Sequence, residues 1–373
     1  MNTQEALEHS ARIVIQDVLN LHAGEQFLII TNPSGDVETI SRALYNQALA
    51  MGVETTLIIQ PEKTQLDFAN RAALAAFHAN VDAFASISAN KLGKDALGIA
   101  KPWIMSDGQK IDHIFHYYLD GLKTQRAIWT PGITVDMFIR TAPIDYDLLL
   151  KRCRAISAAL EGAESVHVTA PGGTDIIVPV AGRKPMSDDG IFIKGGDGGN
   201  VPAGEVFISP ANGQSRGVIV FDGSISLNSG DMITETPVRV TVENGFVTSV
   251  TGGREAELLE QSLKAGEEQA RRFAAEGKLS AEDGETYARN ARNLGELGIG
   301  LNPAAEIRGN MLEDEKAFST CHFAIGSNYD NDAEAMIHLD CLVRNPTIII
   351  NRPDGSSVCV EKNGTLEPAF ENP

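Results

Sequence analysis

The first 160 residues alternate short apolar runs with amphipathic stretches. Residues 26–31 (QFLIIT) read as a buried strand, 54–60 (ETTLIIQ) and 83–88 as further strands, while residues 36–51 and 66–78 carry helical spacing. Strands separated by helices of this length imply βαβ units and a parallel sheet. No G-x-G-x-x-G follows any of these strands and no GK[ST] occurs, so a nucleotide site is not supported. The segment after the first strand, Asn32 to Gly35, suits a helix cap and also an anion at a helix N-terminus.

The texture changes after a helix predicted over residues 146–161. Residues 165–182 (SVHVTAPGGTDIIVPVAG) predict a hairpin, and residues 238–250 (VRVTVENGFVTSV) a second one with Asn244 and Gly245 at its turn. A long charged helix is predicted over 254–276. Another begins near Ser280, where Ser280 and Asp283 fit a capping box. Strands return from residue 297 to the end. The pattern therefore predicts an α/β (Rossmann-like) domain over 1–162 and a β-rich α+β domain over 163–373. Residues 194–200 (KGGDGGN) predict a flexible loop.

Composition adds class and compartment. Hydrophobic residues make up 43% and charged ones 22%, as in ordinary globular proteins. A formal charge of −19 argues against nucleic acid or anionic membrane as a partner, and suits a cationic ligand such as an amine or metal ion. The start of the chain lacks a basic stretch followed by an apolar one, and no apolar run is long enough to span a bilayer. Four cysteines lie far apart with no CxxC pair, which predicts reduced thiols and a cytoplasmic protein.

The candidate chemistry lies in the second half. In MIHLDCL (336–342), alternation turns Ile337, Leu339 and Cys341 to a core, and His338 with Asp340 to the other face. An imidazole beside a carboxylate on a strand is half of a divalent-metal site, although any amphipathic strand shows the same alternation. In STCHFAIG (319–326), His322 stands opposite Cys321 and Phe323. Glu205 in GNVPAGEVFISP and Glu296 in NLGELGIGLNP sit among glycines and apolar residues. Carboxylates are costly in such settings unless paired or bound to a metal, though each alone also fits a cap or a surface position. Together these two histidines and three carboxylates suit a pair of divalent ions.

GNVPAGEVFISP, GELGIGLNP, CHFAIGSNY and HLD, in this order, resemble the aminopeptidase T and aminopeptidase S family of metallo-aminopeptidases. The resemblance implies that Glu205, Glu296, His322, His338 and Asp340 are metal ligands and that Tyr329 is an active-site tyrosine. It further implies two divalent ions (zinc, cobalt or manganese), an α/β N-terminal domain and a homodimer. The function so implied is hydrolysis of an N-terminal peptide bond, or of another small amide, by a metal-activated water. Glu205 or Glu296 would shuttle the proton, and the Tyr329 hydroxyl would donate to the oxyanion. The segment 312–321 (LEDEKAFSTC) departs from the family in length, so Glu315 is given no catalytic role. The stretch 327–334 departs as well.

The same fold also resembles dihydroxypyridine ring-cleaving dioxygenases, with a mononuclear iron held by two histidines and one carboxylate. In those enzymes the HLD pair is kept, a histidine stands where Glu296 stands here, and the positions of Glu205 and His322 are not ligands. The presence of all five peptidase-type ligands ranks the aminopeptidase first and the dioxygenase second.

Overall fold

The computed structural model describes residues 2–63, 69–90, 93, 95–106 and 108–373. Two compact units emerge, Met1–Leu150 with Asp188–Ala203, and Lys151–Ser187 with Gly204–Pro373. Both are discontinuous, whereas the predicted cut at residue 162 treats the chain as two uninterrupted pieces.

In the first unit a parallel sheet runs in the order Gly198–Asn200, Arg126–Trp129, Ala83–Ile87, Gln26–Thr31, Glu54–Ile59. Its central strands are buried along nearly their whole length, which is why they appear as unbroken apolar runs. Leu28, Ile30, Phe77, Phe84, Phe115 and Ala127 lie in its core. The helix predicted over 66–78 is observed as Arg71–Phe77, capped by the Asn70 side chain. Residues 66–68 of that prediction lie outside the described residues. The helix after the first strand, Gly35–Ala50, starts without a side-chain cap from Ser34.

KGGDGGN is not the flexible loop its composition predicts. Its last three residues pair with Arg126–Trp129, and Asp197 accepts hydrogen bonds from the backbone of Ile193 and Lys194. The glycines serve close approach: a Cβ on Gly195 would lie 2.3 Å from the carbonyl oxygen of Lys123.

The second unit is built on two antiparallel sheets. One contains the two predicted hairpins, Ser165–Thr169 with Asp175–Pro179 and Val238–Glu243 with Phe246–Thr251. Asn244 and Gly245 both adopt positive φ (49° and 77°), as a two-residue hairpin turn requires. In the other sheet, which has seven strands, the six that lie wholly in this unit run in the order Gly230–Ile233, Ser224–Leu227, His338–Arg344, Thr320–Gly326, Leu294–Gly300, Glu205–Ile208. The unit also carries the helices Arg254–Ala275 and Ala281–Asn290, the second capped by Ser280 as predicted. Gly266 of the first leaves room for the side chain of Ile337, whose Cδ1 would lie 2.8 Å from a Cβ there. The predicted fold class, a parallel α/β part followed by a β-rich α+β part, is the one observed. No helix among the described residues is long and apolar enough to cross a membrane.

Candidate metal centre

Four neighbouring strands of the second sheet carry the five residues singled out above. Cross-strand partners share a face, and the register places them in one patch. Glu296 pairs with Ala324, which pairs with Asp340; Gly326 pairs with His338; Gly298 pairs with His322; Gly300 pairs with Glu205. The opposite face of the same strands holds Leu297, Ile299, Cys321, Phe323, Ile325, Leu339 and Cys341, all buried. Alternation therefore puts the polar side chains on one face, and the register of the four strands brings them together.

Small residues make the convergence possible. The His322 ring lies across Gly298, where a Cβ would sit 2.1 Å from its Cε1 and Nε2. A side chain there would push the imidazole away from both glutamates, so the glycine-rich GELGIG strand is a bed for the ring.

The contacts form a chain of alternating charge. His322 Nε2 is 3.5 Å from Glu205 Oε2 and 3.3 Å from Glu296 Oε1. His338 Nε2 is 3.1 Å from Glu296 Oε2 and 3.2 Å from Asp340 Oδ1. Glu296 thus joins two groups able to hold a metal ion, Glu205–Glu296–His322 and Glu296–His338–Asp340, with the ligand atoms of each within 4.8 Å of one another. His338 Nδ1 lies 2.9 Å from the backbone oxygen of Ser327, and donation there leaves Nε2 as the ligating atom. Glu205 Oε2 and His322 Nδ1 are buried without a hydrogen-bond partner.

Burial opposes charge throughout the patch, and the neighbours decide the outcome. Burial opposes ionisation of Glu296, but hydrogen bonds from His322 and His338 outweigh it and hold its carboxyl below the usual range. Burial likewise opposes a charged His322, yet the hydrogen bond and charge of Glu296, with Glu205 and Asp340 nearby, raise it to about 9. His338 is raised in the same way, Asp340 being its strongest charged neighbour. An ion that binds these nitrogens must displace their protons.

Sequence reasoning missed Lys316 and set Glu315 aside. Lys316 is fully buried, and its Nζ donates to Glu205 Oε1 at 2.7 Å and to Glu315. Glu315 is pushed up to about 7, chiefly by burial and against the pull of Lys316, with Glu205 and Asp340 adding to the rise. In the sequence the two sit in a charge run, LEDEK, that looks like a solvated surface. Tyr329 lies on the loop before His338, half-exposed at 50%, its ring 5.0 Å from that of Phe207 and 5.3 Å from that of His338. Arg183 holds that loop through Asp332 at 2.8 Å and Asp330 at 3.7 Å.

Against known proteins, a family model described as NicX, 2,5-dihydroxypyridine 5,6-dioxygenase, matches residues 134–362. A curated 2,5-dihydroxypyridine 5,6-dioxygenase of Pseudomonas putida is 26% identical over 242 residues, which are 62% of this chain and 63% of that protein. The chain thus matches less than two thirds of that relative's length. Among solved structures, the 2,5-dihydroxypyridine dioxygenase from Pseudomonas putida KT2440 is similar with a TM-score of 0.72 at 18% identity, over 100% of this chain and 99% of that one. AmpT from Thermus thermophilus is similar with a TM-score of 0.62 at 17% identity, over 98% of this chain and 100% of that one. At these identities the two structures speak for the fold alone.

These findings correct the expectation of a metallo-aminopeptidase. The hydrolase reading, cleavage of an N-terminal peptide bond by a metal-activated water, falls with it. Its error was to let a ligand set decide between two families that share one sheet. The family match runs through that sheet from end to end and covers more than half of the chain, which belongs to the 2,5-dihydroxypyridine 5,6-dioxygenase family.

Proposed function

We propose that this chain is a metal-dependent dioxygenase that opens the ring of a small hydroxylated N-heteroaromatic compound. The observation that carries this reading is the family match, since residues 134–362 contain every member of the charged patch. A dihydroxypyridine is the first substrate to test, because the curated relative is named for that ring.

The residues fit a divalent ion. Glu296, His338 and Asp340 offer one imidazole and two carboxylates, a hard N/O set suited to ferrous iron or manganese. Glu205 Oε2, buried without a hydrogen-bond partner and 3.5 Å from His322 Nε2, is a further oxygen available to a cation. The set is more acidic than the two-histidine, one-carboxylate arrangement expected of such enzymes, with Glu296 in place of a histidine. When bound, a redox-active ion supplies the one-electron exchange that dioxygen needs to react with a closed-shell ring.

The protein's own groups do the rest. Tyr329 and Phe207 present an aromatic surface beside His338 against which a planar ring can lie. Glu315, balanced near neutrality, is the group suited to accept a proton from a ring hydroxyl and return it to the opened product. Its partner Lys316 keeps that proton exchange from leaving uncompensated charge in a buried site.

The test is anaerobic loading with ferrous iron followed by 2,5-dihydroxypyridine in aerated buffer. Oxygen uptake, loss of the ring absorbance and a product heavier by one O2 are expected. Iron- or manganese-loaded protein that binds metal normally yet consumes no oxygen with hydroxylated pyridines or hydroxylated benzenes overturns the reading.

A further inference from the structure

The patch poses a question that family membership leaves open. A mononuclear oxygenase needs one metal position, yet Glu296 joins two groups of possible ligands here. The two groups differ in one respect that the contacts make plain. Glu205 belongs to the Glu205–Glu296–His322 group and not to the other, and its Oε1 already accepts a hydrogen bond from the fully buried ammonium of Lys316 at 2.7 Å. Its second oxygen, Oε2, faces His322 at 3.5 Å and has no hydrogen-bond partner.

We propose that Lys316 is a positioning residue that makes the two halves of the cluster unequal: its ammonium stands in for a second metal ion beside Glu205, so that the first metal enters at Glu296–His338–Asp340. The inference rests on the metal-binding part of the function proposed above, not on its substrate. A cation bound at Oε2 would lie one carboxylate away from Nζ, inside a buried site where water does little to screen like charges. An ammonium tied to both Glu205 and Glu315 also holds the Glu205 side chain in one orientation, with a single oxygen left for the cluster. Lysine reaches this position from the end of the short Met311–Asp314 helix, on the segment leading into the His322 strand, so its placement is built into the fold. A buried lysine is costly unless paired, and here its carboxylate partners belong to or adjoin the cluster.

The test is titration of metal-free wild-type protein, Lys316→Met and Lys316→Arg with cobalt(II), read by calorimetry and by the visible absorption of the bound ion. Wild type should take one cobalt tightly and a second at least about tenfold more weakly. In Lys316→Met, close to lysine in length and without charge, the second site should tighten by about tenfold or more. Lys316→Arg, which keeps the cation, should restore the wild-type inequality. A Lys316→Met isotherm identical to that of wild type overturns the proposal, as do two equal sites in wild type. Should Lys316→Met fail to fold, wild-type crystals soaked in graded zinc decide. A first anomalous peak at Glu296–His338–Asp340, with the Lys316–Glu205 contact intact, supports the proposal. A first peak at Glu205–Glu296–His322 overturns it. These measurements use no substrate, so their outcome is separate from whether the protein cleaves a ring.

Discussion

The two faces of the Glu205–Ile208, Leu294–Gly300, Thr320–Gly326 and His338–Arg344 strands are almost equally buried and physically opposite. One packs Leu297, Ile299, Phe323, Ile325 and Leu339, and removal of that surface from water stabilises the fold. The other encloses Glu205, Glu296, His322 and Asp340, nearly as inaccessible, where burial opposes every charge and only mutual pairing offsets it. The first face holds the sheet together, while the second keeps a set of donors desolvated and ready for a cation. Burial by itself therefore says nothing about role. What matters is whether the buried group has its partners inside the fold or awaits one from outside.

The largest separation of the two faces should come from Asp340→Ala and Phe323→Ala. Asp340→Ala should weaken metal binding by more than about 100-fold, beyond what loss of a mere supporting contact costs. It should lower the melting temperature less than Phe323→Ala does. Phe323→Ala should lose roughly 3–5 kcal/mol of stability and bind metal normally once folded. The comparison collapses if Asp340→Ala still binds metal like wild type, or melts below Phe323→Ala.

A buried carboxylate elsewhere sharpens the contrast, because neither of its oxygens has a hydrogen-bond partner among the described residues. Glu361, on a strand of the other sheet, is 1% exposed, with neither oxygen hydrogen-bonded, and burial pushes it up to about 8. A folded-state value above the unfolded one of 4.5 means that the native protein holds this proton more tightly. Stability from this group is complete below pH 4.5 and is lost as pH rises through 8. Glu361→Gln removes the effect and should be more stable than wild type by on the order of 4 kcal/mol at pH 9, with little difference at pH 4. Denaturant melts at the two pH values check this, and a difference independent of pH would sink it.

A smaller effect tests the bed beneath the ring. Gly298→Ala adds a methyl group where the His322 imidazole lies, and should weaken the second metal site by about 10- to 100-fold, leaving the first less affected. Cobalt titration reads this directly. Unchanged affinity at both sites would mean that the ring does not need the space Gly298 leaves.

Much of this was legible in the amino-acid order. The central strands of the first unit announce themselves as apolar runs because they are covered on both sides. The Asn244–Gly245 turn and the Ser280 cap follow from local backbone chemistry. Alternation in HLDCL and TCHFAIG separates core from polar positions correctly, since a strand obliges neighbours to face opposite ways. Less legible were the strands Arg216–Phe221 and Ser224–Leu227, which contain glycine and serine among their apolar residues. The glycines of KGGDGGN misled in the other direction, because close packing and flexibility call for the same residue.

Sequence by itself determined most of the element types, the polar side of the strands that alternate and the residue kinds able to bind a divalent cation. These depend on spacings of two to four residues, over which backbone geometry is nearly invariant. Tertiary structure alone decided which strands became neighbours, and so that Glu205 meets a histidine 117 positions away in the chain. It also decided that Lys316, placed in a charge run, is fully buried against Glu205. Register across four strands and the burial of a single lysine arise from contacts distant in sequence, and no local pattern encodes which members of a charge run turn inward.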